Sequence, residues 1–171
     1  GKDGRIYFAG STGDGDNGTA SVLRFTQDGN LDPTWGGAGV ASLNIGGTSS
    51  RATAICLDRR GRVVLGGQRS YADDSSDLLG ARLTRKGHLD PTFNKHGFRV
   101  LRFMRGQQAY VTDLAIDGNT VWFTLLNYNN IGKLDMGTGV FTFYPIPTAD
   151  SQPTGITLGG AGAYVCTRTE A

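Results

Sequence analysis

Arg24-Phe25-Thr26-Gln27-Asp28-Gly29-Asn30-Leu31-Asp32-Pro33-Thr34-Trp35 returns as Arg82-Leu83-Thr84-Arg85-Lys86-Gly87-His88-Leu89-Asp90-Pro91-Thr92-Phe93, every position displaced by 58 (24 to 82, 35 to 93). Arg, Thr, Gly, Leu, Asp, Pro and Thr are identical in the two copies, and the closing aromatic is kept. Gly39 and Gly97 prolong the register, whereas Gly4 and Gly61 stand 57 apart, so one residue is gained between them and the motif. A fixed period of this length marks a fold made of repeated supersecondary units. The shared Leu-Asp-Pro-Thr-aromatic element reads as a turn with an anchor. Proline fixes its own φ and biases the aspartate before it to extended backbone. The aspartate can then accept a hydrogen bond from the following backbone or threonine, and the aromatic folds back as a plug.

Working outward, the apolar stretches are short and strand-like: residues 6–10, 20–26, 40–45 and 52–57, separated by glycine, asparagine and aspartate. Ile6-Tyr7-Phe8 and Val63-Val64-Leu65 are continuous apolar runs rather than alternations, which predicts strands covered on both faces. Arg60-Gly61, Asp117-Gly118 and Gly159-Gly160 supply the positive-φ residues of tight hairpins. No 3.6-residue apolar period of useful length exists, so the chain reads as all-β.

Past Gly97 the period shortens. Residues 111–117, 120–124, 130–135 and 140–145 place four strands in about 40 residues, and a fresh copy starts at Pro153-Thr154-Gly155-Ile156. Thr154 lies 42 positions after Thr112. Four-stranded units of this length suit the blades of a β-propeller. Counted from the innermost strand outward, the chain opens at a second strand and closes at another second strand, giving sheets of three, four, four and two strands. The expectation is an incomplete propeller of about three and a half blades, over residues 1–171 as one domain. The strand count leads us to expect a segment of a longer propeller or a partial ring completed by a second copy, because exposed sheet edges invite further pairing.

Composition narrows the classes. Glycine makes up 27 of 171 residues, roughly twice the average share, which fits many tight turns. Long apolar runs, heptads and dense cysteine are missing, excluding a bundle of membrane-spanning helices, a coiled coil and a disulfide scaffold. Seventeen basic against fifteen acidic side chains leave a formal charge of +2, with no electrostatic case for nucleic acid or an anionic membrane. The first residues carry no signal peptide, and the beginning reads as cut rather than natural. Cys56 and Cys166 sit in separate strand-like runs and read as two buried thiols.

Residues 24–39, 54–67 and 82–97 together resemble the delta-60 repeat, a bacterial β-propeller-like repeat, over about residues 1–105. Residues 118–124, 131–135, 144–148 and 153–156 are similar to the blades of streptogramin lyase, also called virginiamycin B lyase, over residues 106–171. The delta-60 resemblance implies an extracellular, cell-surface or periplasmic protein. The lyase resemblance implies a seven-bladed ring, a magnesium ion and a general-base histidine that opens a cyclic depsipeptide by elimination. In that family a histidine often follows the proline at the start of the innermost strand; here Thr154 follows Pro153, so no catalytic residue carries over.

The remaining candidates read as structure first. His88 and His96 flank Leu-Asp-Pro-Thr-Phe, and with no further histidine or nearby cysteine they read as solvated turn residues rather than metal ligands. Asp14-Gly15-Asp16-Asn17-Gly18 has the spacing of the start of a calcium loop but lacks the later glutamate, and Gly13 to Gly18 lacks the lysine of a phosphate loop. Asp73, Asp74 and Asp77 read as a charged solubilising hairpin. Trp122, Phe123, Phe141, Phe143 and Tyr144 read as blade packing, whereas Tyr71 and Tyr128, each in a polar loop, are candidates for stacking on carbohydrate. The expected function is a non-enzymatic propeller module that binds a protein or glycan through blade loops. No cofactor is expected, calcium and magnesium being the two ions these features bring up. The alternative is a lyase-like enzyme whose catalytic residues are lost or lie outside these residues.

Overall fold

The computed structural model describes residues 1, 3–13, 17–102, 108–159 and 162–167, the last six as backbone only. Among them thirteen strands form four antiparallel sheets, each with its strands side by side in chain order. Blade 1 holds β1 (Ile6–Thr12), β2 (Thr19–Phe25) and β3 (Val40–Ser42). Blade 2 holds β4 (Ser49–Leu57), β5 (Val63–Ser70), β6 (Ser76–Leu83) and β7 (Phe98–Leu101). Blade 3 holds β8 (Val111–Asp117), β9 (Thr120–Leu125), β10 (Asn130–Asp135) and β11 (Phe141–Pro145). Blade 4 holds β12 (Pro153–Gly159) and β13 (Gly162–Thr167). The strand count of three, four, four and two is the one read from the sequence.

Successive blades lean on one another through their first strands. Thr53 Oγ1 of β4 donates to the Val111 carbonyl of β8 at 2.6 Å, and Thr112 Oγ1 of β8 donates to the Pro153 carbonyl of β12 at 2.9 Å. Between the sheets lie two apolar cores. Pleating sends Val63 and Leu65 of β5 into the first, against Val22 and Leu43 of blade 1, and Val64 into the second, against blade 3. The continuous run at 63–65 is therefore covered on both faces, as expected. The run at 6–8 is not: Tyr7 packs toward blade 2, but Ile6 and Phe8 are 45% and 58% exposed. Their face of blade 1 meets no other described sheet.

The two copies of the repeat fold into the same corner. Thr34 donates its N–H (3.0 Å) and Oγ1–H (2.6 Å) to Asp32 Oδ1, while Arg5 Nε and Arg24 Nη2 both reach Asp32 Oδ2 at 2.9 Å. In the second copy Thr92 donates its N–H (3.0 Å) and Oγ1–H (2.7 Å) to Asp90 Oδ1, and Arg82 Nε (2.8 Å) and Arg62 Nη1 (2.9 Å) reach Asp90 Oδ2. The guanidinium of Arg24 then lies over the Trp35 ring at 5.4 Å, and that of Arg82 over the Phe93 ring at 5.3 Å. Both rings are fully buried, Trp35 in the first core and Phe93 in the second. A Cβ at Gly87 would stand 2.8 Å from Trp35 ring atoms, so the plug of blade 1 rests on the glycine turn of blade 2.

Protonation opposes this corner. Hydrogen bonds from Thr34, through its side chain and then its backbone, together with Arg5, hold the Asp32 carboxyl far below the ordinary range. At Asp90 burial pushes the other way, but the Thr92 bonds and Arg82 outweigh it and the carboxyl is also lowered. Both groups thus titrate lower folded than unfolded. Their contribution is complete above the ordinary carboxylate value of about 4 and is lost as pH falls through the depressed folded values. Urea unfolding midpoints should hold from pH 8 to 5 and drop below about pH 4; a midpoint unchanged at pH 3 contradicts the clamp. Asp90→Asn, which leaves buried Arg82 without its counter-charge, should cost about 3–5 kcal/mol. Trp35 Nε1 is buried without a hydrogen-bond partner among the described residues. Trp35→Phe, the ring of the second copy, should therefore cost about 1–2 kcal/mol against about 3–5 kcal/mol for Trp35→Ala, read from the same urea curves.

Candidate functional site

In blade 2, β5 runs from Val63 to Ser70 and Ser70 pairs with Ser76 of β6, so residues 71–75 cap the end opposite the 84–97 corner. At this capped end, between blades 1 and 2, lies a groove of about 520 Å³. Arg51 and Gln68, direct partners on β4 and β5, form part of its wall with Ser49, Ser70, Asp74 and Gln108. The register of β4 shifts between Ala52 and Ala54, a bulge of the kind that re-aims side chains. It brings the Arg51 carbonyl over Gly67, where a Cβ would stand 2.0 Å from it; a larger residue at 67 cannot share this space.

Inter-blade hydrogen bonds hold the rim. Ser50 Oγ accepts from the Ala20 N–H at 2.8 Å, and the Ser50 N–H donates to the Gly18 carbonyl at 2.7 Å. Ser76 Oγ accepts from the Ala109 N–H at 2.9 Å, and Gln108 Nε2 donates to the Asp74 carbonyl at 3.1 Å. Gln68 Oε1 is buried and finds no hydrogen-bond partner among the described residues. The groove carries one cation, Arg51, and one anion, Asp74, amid hydroxyl and amide groups. Such a surface offers many directional donors and acceptors, little net charge and few apolar anchors.

Tyr71 borders this groove, but its ring is committed. Arg69 and Arg102 each lie 5.3 Å from its centroid, and its hydroxyl donates to Asp77 Oδ2 at 2.6 Å. Asp77 also receives Arg69 Nη2 at 2.8 Å and is only 3% exposed. The hairpin expected to be wholly solubilising therefore splits: Asp73 and Asp74 are exposed, whereas Asp77 is an internal counter-charge, because Arg69, its direct partner on β5, meets it across the hairpin. Tyr128 packs against the second core, and burial raises its phenol.

His88 and His96 are both exposed and lie in the corner at the far end of blade 2 from the groove. Asp14, Gly15 and Asp16 of the calcium-like stretch lie outside the described residues. Among the described residues, no three His, Cys, Asp or Glu side chains gather in a group able to hold a metal ion. Phe141 and Phe143 pack at the edge of the second core and Phe123 within it, while Trp122 meets Tyr144 at 5.8 Å. Cys56 is a free thiol, pushed up to about 12 by burial and then by Asp113 and Asp58; the Cys166 side chain lies outside the described residues. Sequence reasoning missed Arg51, Gln68 and Gln108, whose only signal is polar side chains interrupting or adjoining strand runs.

A family model described as "Domain of unknown function (DUF5122) beta-propeller" matches residues 1–34, the stretch that holds blade 1 as far as the first Asp-Pro-Thr corner. No curated protein matches the sequence. Among solved structures, a catalytically inactive virginiamycin B lyase from Staphylococcus aureus with quinupristin superposes with a TM-score of 0.50 and 22% identity, over 69% of this chain and 35% of that one. The selenomethionine form of the same lyase gives a TM-score of 0.45 at 22% identity, over 67% and 33%. A streptogramin B lyase gives 0.42 at 13%, over 94% and 66%. At this identity the first likeness establishes shared propeller architecture. The chain spans about a third of that lyase's length.

The raised Cys56 thiol is scarcely ionised at neutral pH, and the thiolate is the reactive form. Iodoacetamide at pH 8 should alkylate Cys56 about 100-fold more slowly in the native chain than in urea, followed peptide by peptide by mass spectrometry. Equal rates would contradict the burial assigned to it.

Proposed function

We propose that the chain is a non-enzymatic β-propeller module that binds a glycan in the groove between blades 1 and 2. The groove itself, lined by serine hydroxyls and by the Gln68 and Gln108 amides beside exposed Arg51, carries this reading. Sugars present closely spaced hydroxyls that both donate and accept, which matches a lining of hydroxyls and amides. A protein partner is the weaker occupant, because binding surfaces of that kind centre on large apolar or aromatic anchors, and the one aromatic bordering this groove is already held by Arg69, Arg102 and Asp77. Both histidines stand at the other end of the blade, so neither is placed to act as a base on a molecule in the groove. An extracellular, cell-surface or periplasmic setting goes with this reading.

Isothermal titration against a panel of neutral oligosaccharides (chito-, cello-, malto- and mannotetraose) tests it. One of them should bind with Kd in the micromolar to millimolar range, and Gln68→Ala and Arg51→Ala should each weaken it about tenfold or more while leaving the urea midpoint in place. Binding indifferent to both substitutions, no binding across the panel, or turnover of a cyclic depsipeptide with magnesium present would each overturn it.

A further inference from the structure

The exposed face of blade 1 has a built counterpart inside the same molecule. Ile6 and Phe8 occupy the repeat positions of Val63 and Leu65, 57 residues on, and Leu23 and Phe25 those of Ala81 and Leu83, 58 on. In blade 2 all four of these equivalents are at most 1% exposed, buried in the first core beneath blade 1. In blade 1, Ile6 is 45% and Phe8 58% exposed. The turn glycine repeats the contrast. A Cβ at Gly87 would run into the Trp35 ring at 2.8 Å, whereas one at its equivalent, Gly29, would meet nothing within 4 Å.

The backbone agrees. β1 is an edge strand, while its equivalent β5 is paired on its inner side by β4. The turn that joins β4 to β5 closes with the Gly61 N–H on the Asp58 carbonyl at 2.9 Å and a φ of +71° at Gly61. Gly4 repeats this closure, with its N–H on the Gly1 carbonyl at 3.2 Å and a φ of +75°. Blade 1 thus carries the apolar face, the vacant seat over a turn glycine, the open strand edge and the glycine closure that, one repeat later, accompany a neighbouring blade.

We propose that blade 1 docks a further blade of the Leu-Asp-Pro-Thr-aromatic class on its amino-terminal side. The aromatic of that blade seats over Gly29 as Trp35 seats over Gly87, and the strand leaving it pairs with the edge of β1 as β4 pairs with β5. A tandem chain, with residues 1–57 placed before residues 1–171, supplies such a blade in register. In the 171-residue chain Phe8→Asp should leave the urea midpoint unchanged; in the tandem the same substitution in the 171-residue portion should lower it clearly. Phe8→Cys in that portion should label with a maleimide about tenfold more slowly in the tandem than in the 171-residue chain. Equal labelling, or a Phe8→Asp effect the same in both chains, overturns the proposal. So does a 171-residue chain that dimerises in light scattering and is returned to monomer by Phe8→Asp, because a second copy is then the occupant.

Discussion

The corners of blades 1 and 2 each depend on one carboxylate held by a threonine and two arginines. Asp32 and Asp90 each take two hydrogen bonds from the threonine two residues on and are paired with two arginine guanidiniums, so both oxygens of each carboxylate are engaged. The charge is buried, yet fully met, which is the condition under which a buried ion is tolerated. The arginine completing the corner from the strand end also covers the aromatic plug, so turn geometry, charge and core packing are fixed together. Without this corner, Trp35 and Phe93 would lose the support that aims them at the next sheet.

Stacking of blades follows from the plugs. A single four-stranded sheet buries one face poorly, and each plug gives the next sheet a filled surface to lie on. That is why β5 has its apolar run Val63-Val64-Leu65 covered while β1, with the comparable run Ile6-Tyr7-Phe8, leaves Ile6 and Phe8 exposed. The groove is a by-product of the same order. Where the caps of adjacent blades diverge, serine hydroxyls and a β4 bulge tie the rim, and Gln68 is left facing the gap.

Much of this was legible in the residues. The 58-residue offset gave the unit, and Asp-Pro-Thr chemistry gave the turn, the threonine-to-aspartate bond and the plug. The identical arginines at 24 and 82 were visible as repeats, but the second arginine on each aspartate was not, because Arg5 and Arg62 lie outside the motif and reach it only through strand pairing. Asp77 read as surface charge since the arginine that neutralises it lies across a hairpin, where charge spacing along the chain says little. Exposure of Ile6 and Phe8 was hidden for a related reason: an apolar strand declares that it wants a cover, not whether one is present. The groove was least legible, because Arg51, Gln68 and Gln108 come from three separate segments and form no motif.

The direct test of the account is the proton spectrum of Gly87. The Trp35 ring, seated on that turn from the neighbouring blade, should shift the Gly87 Hα resonances upfield and give nuclear Overhauser contacts between those protons and the indole, with the shift abolished in Trp35→Ala. Gly87 Hα at its random-coil position, with no contact to the indole, would contradict the plugged-blade arrangement.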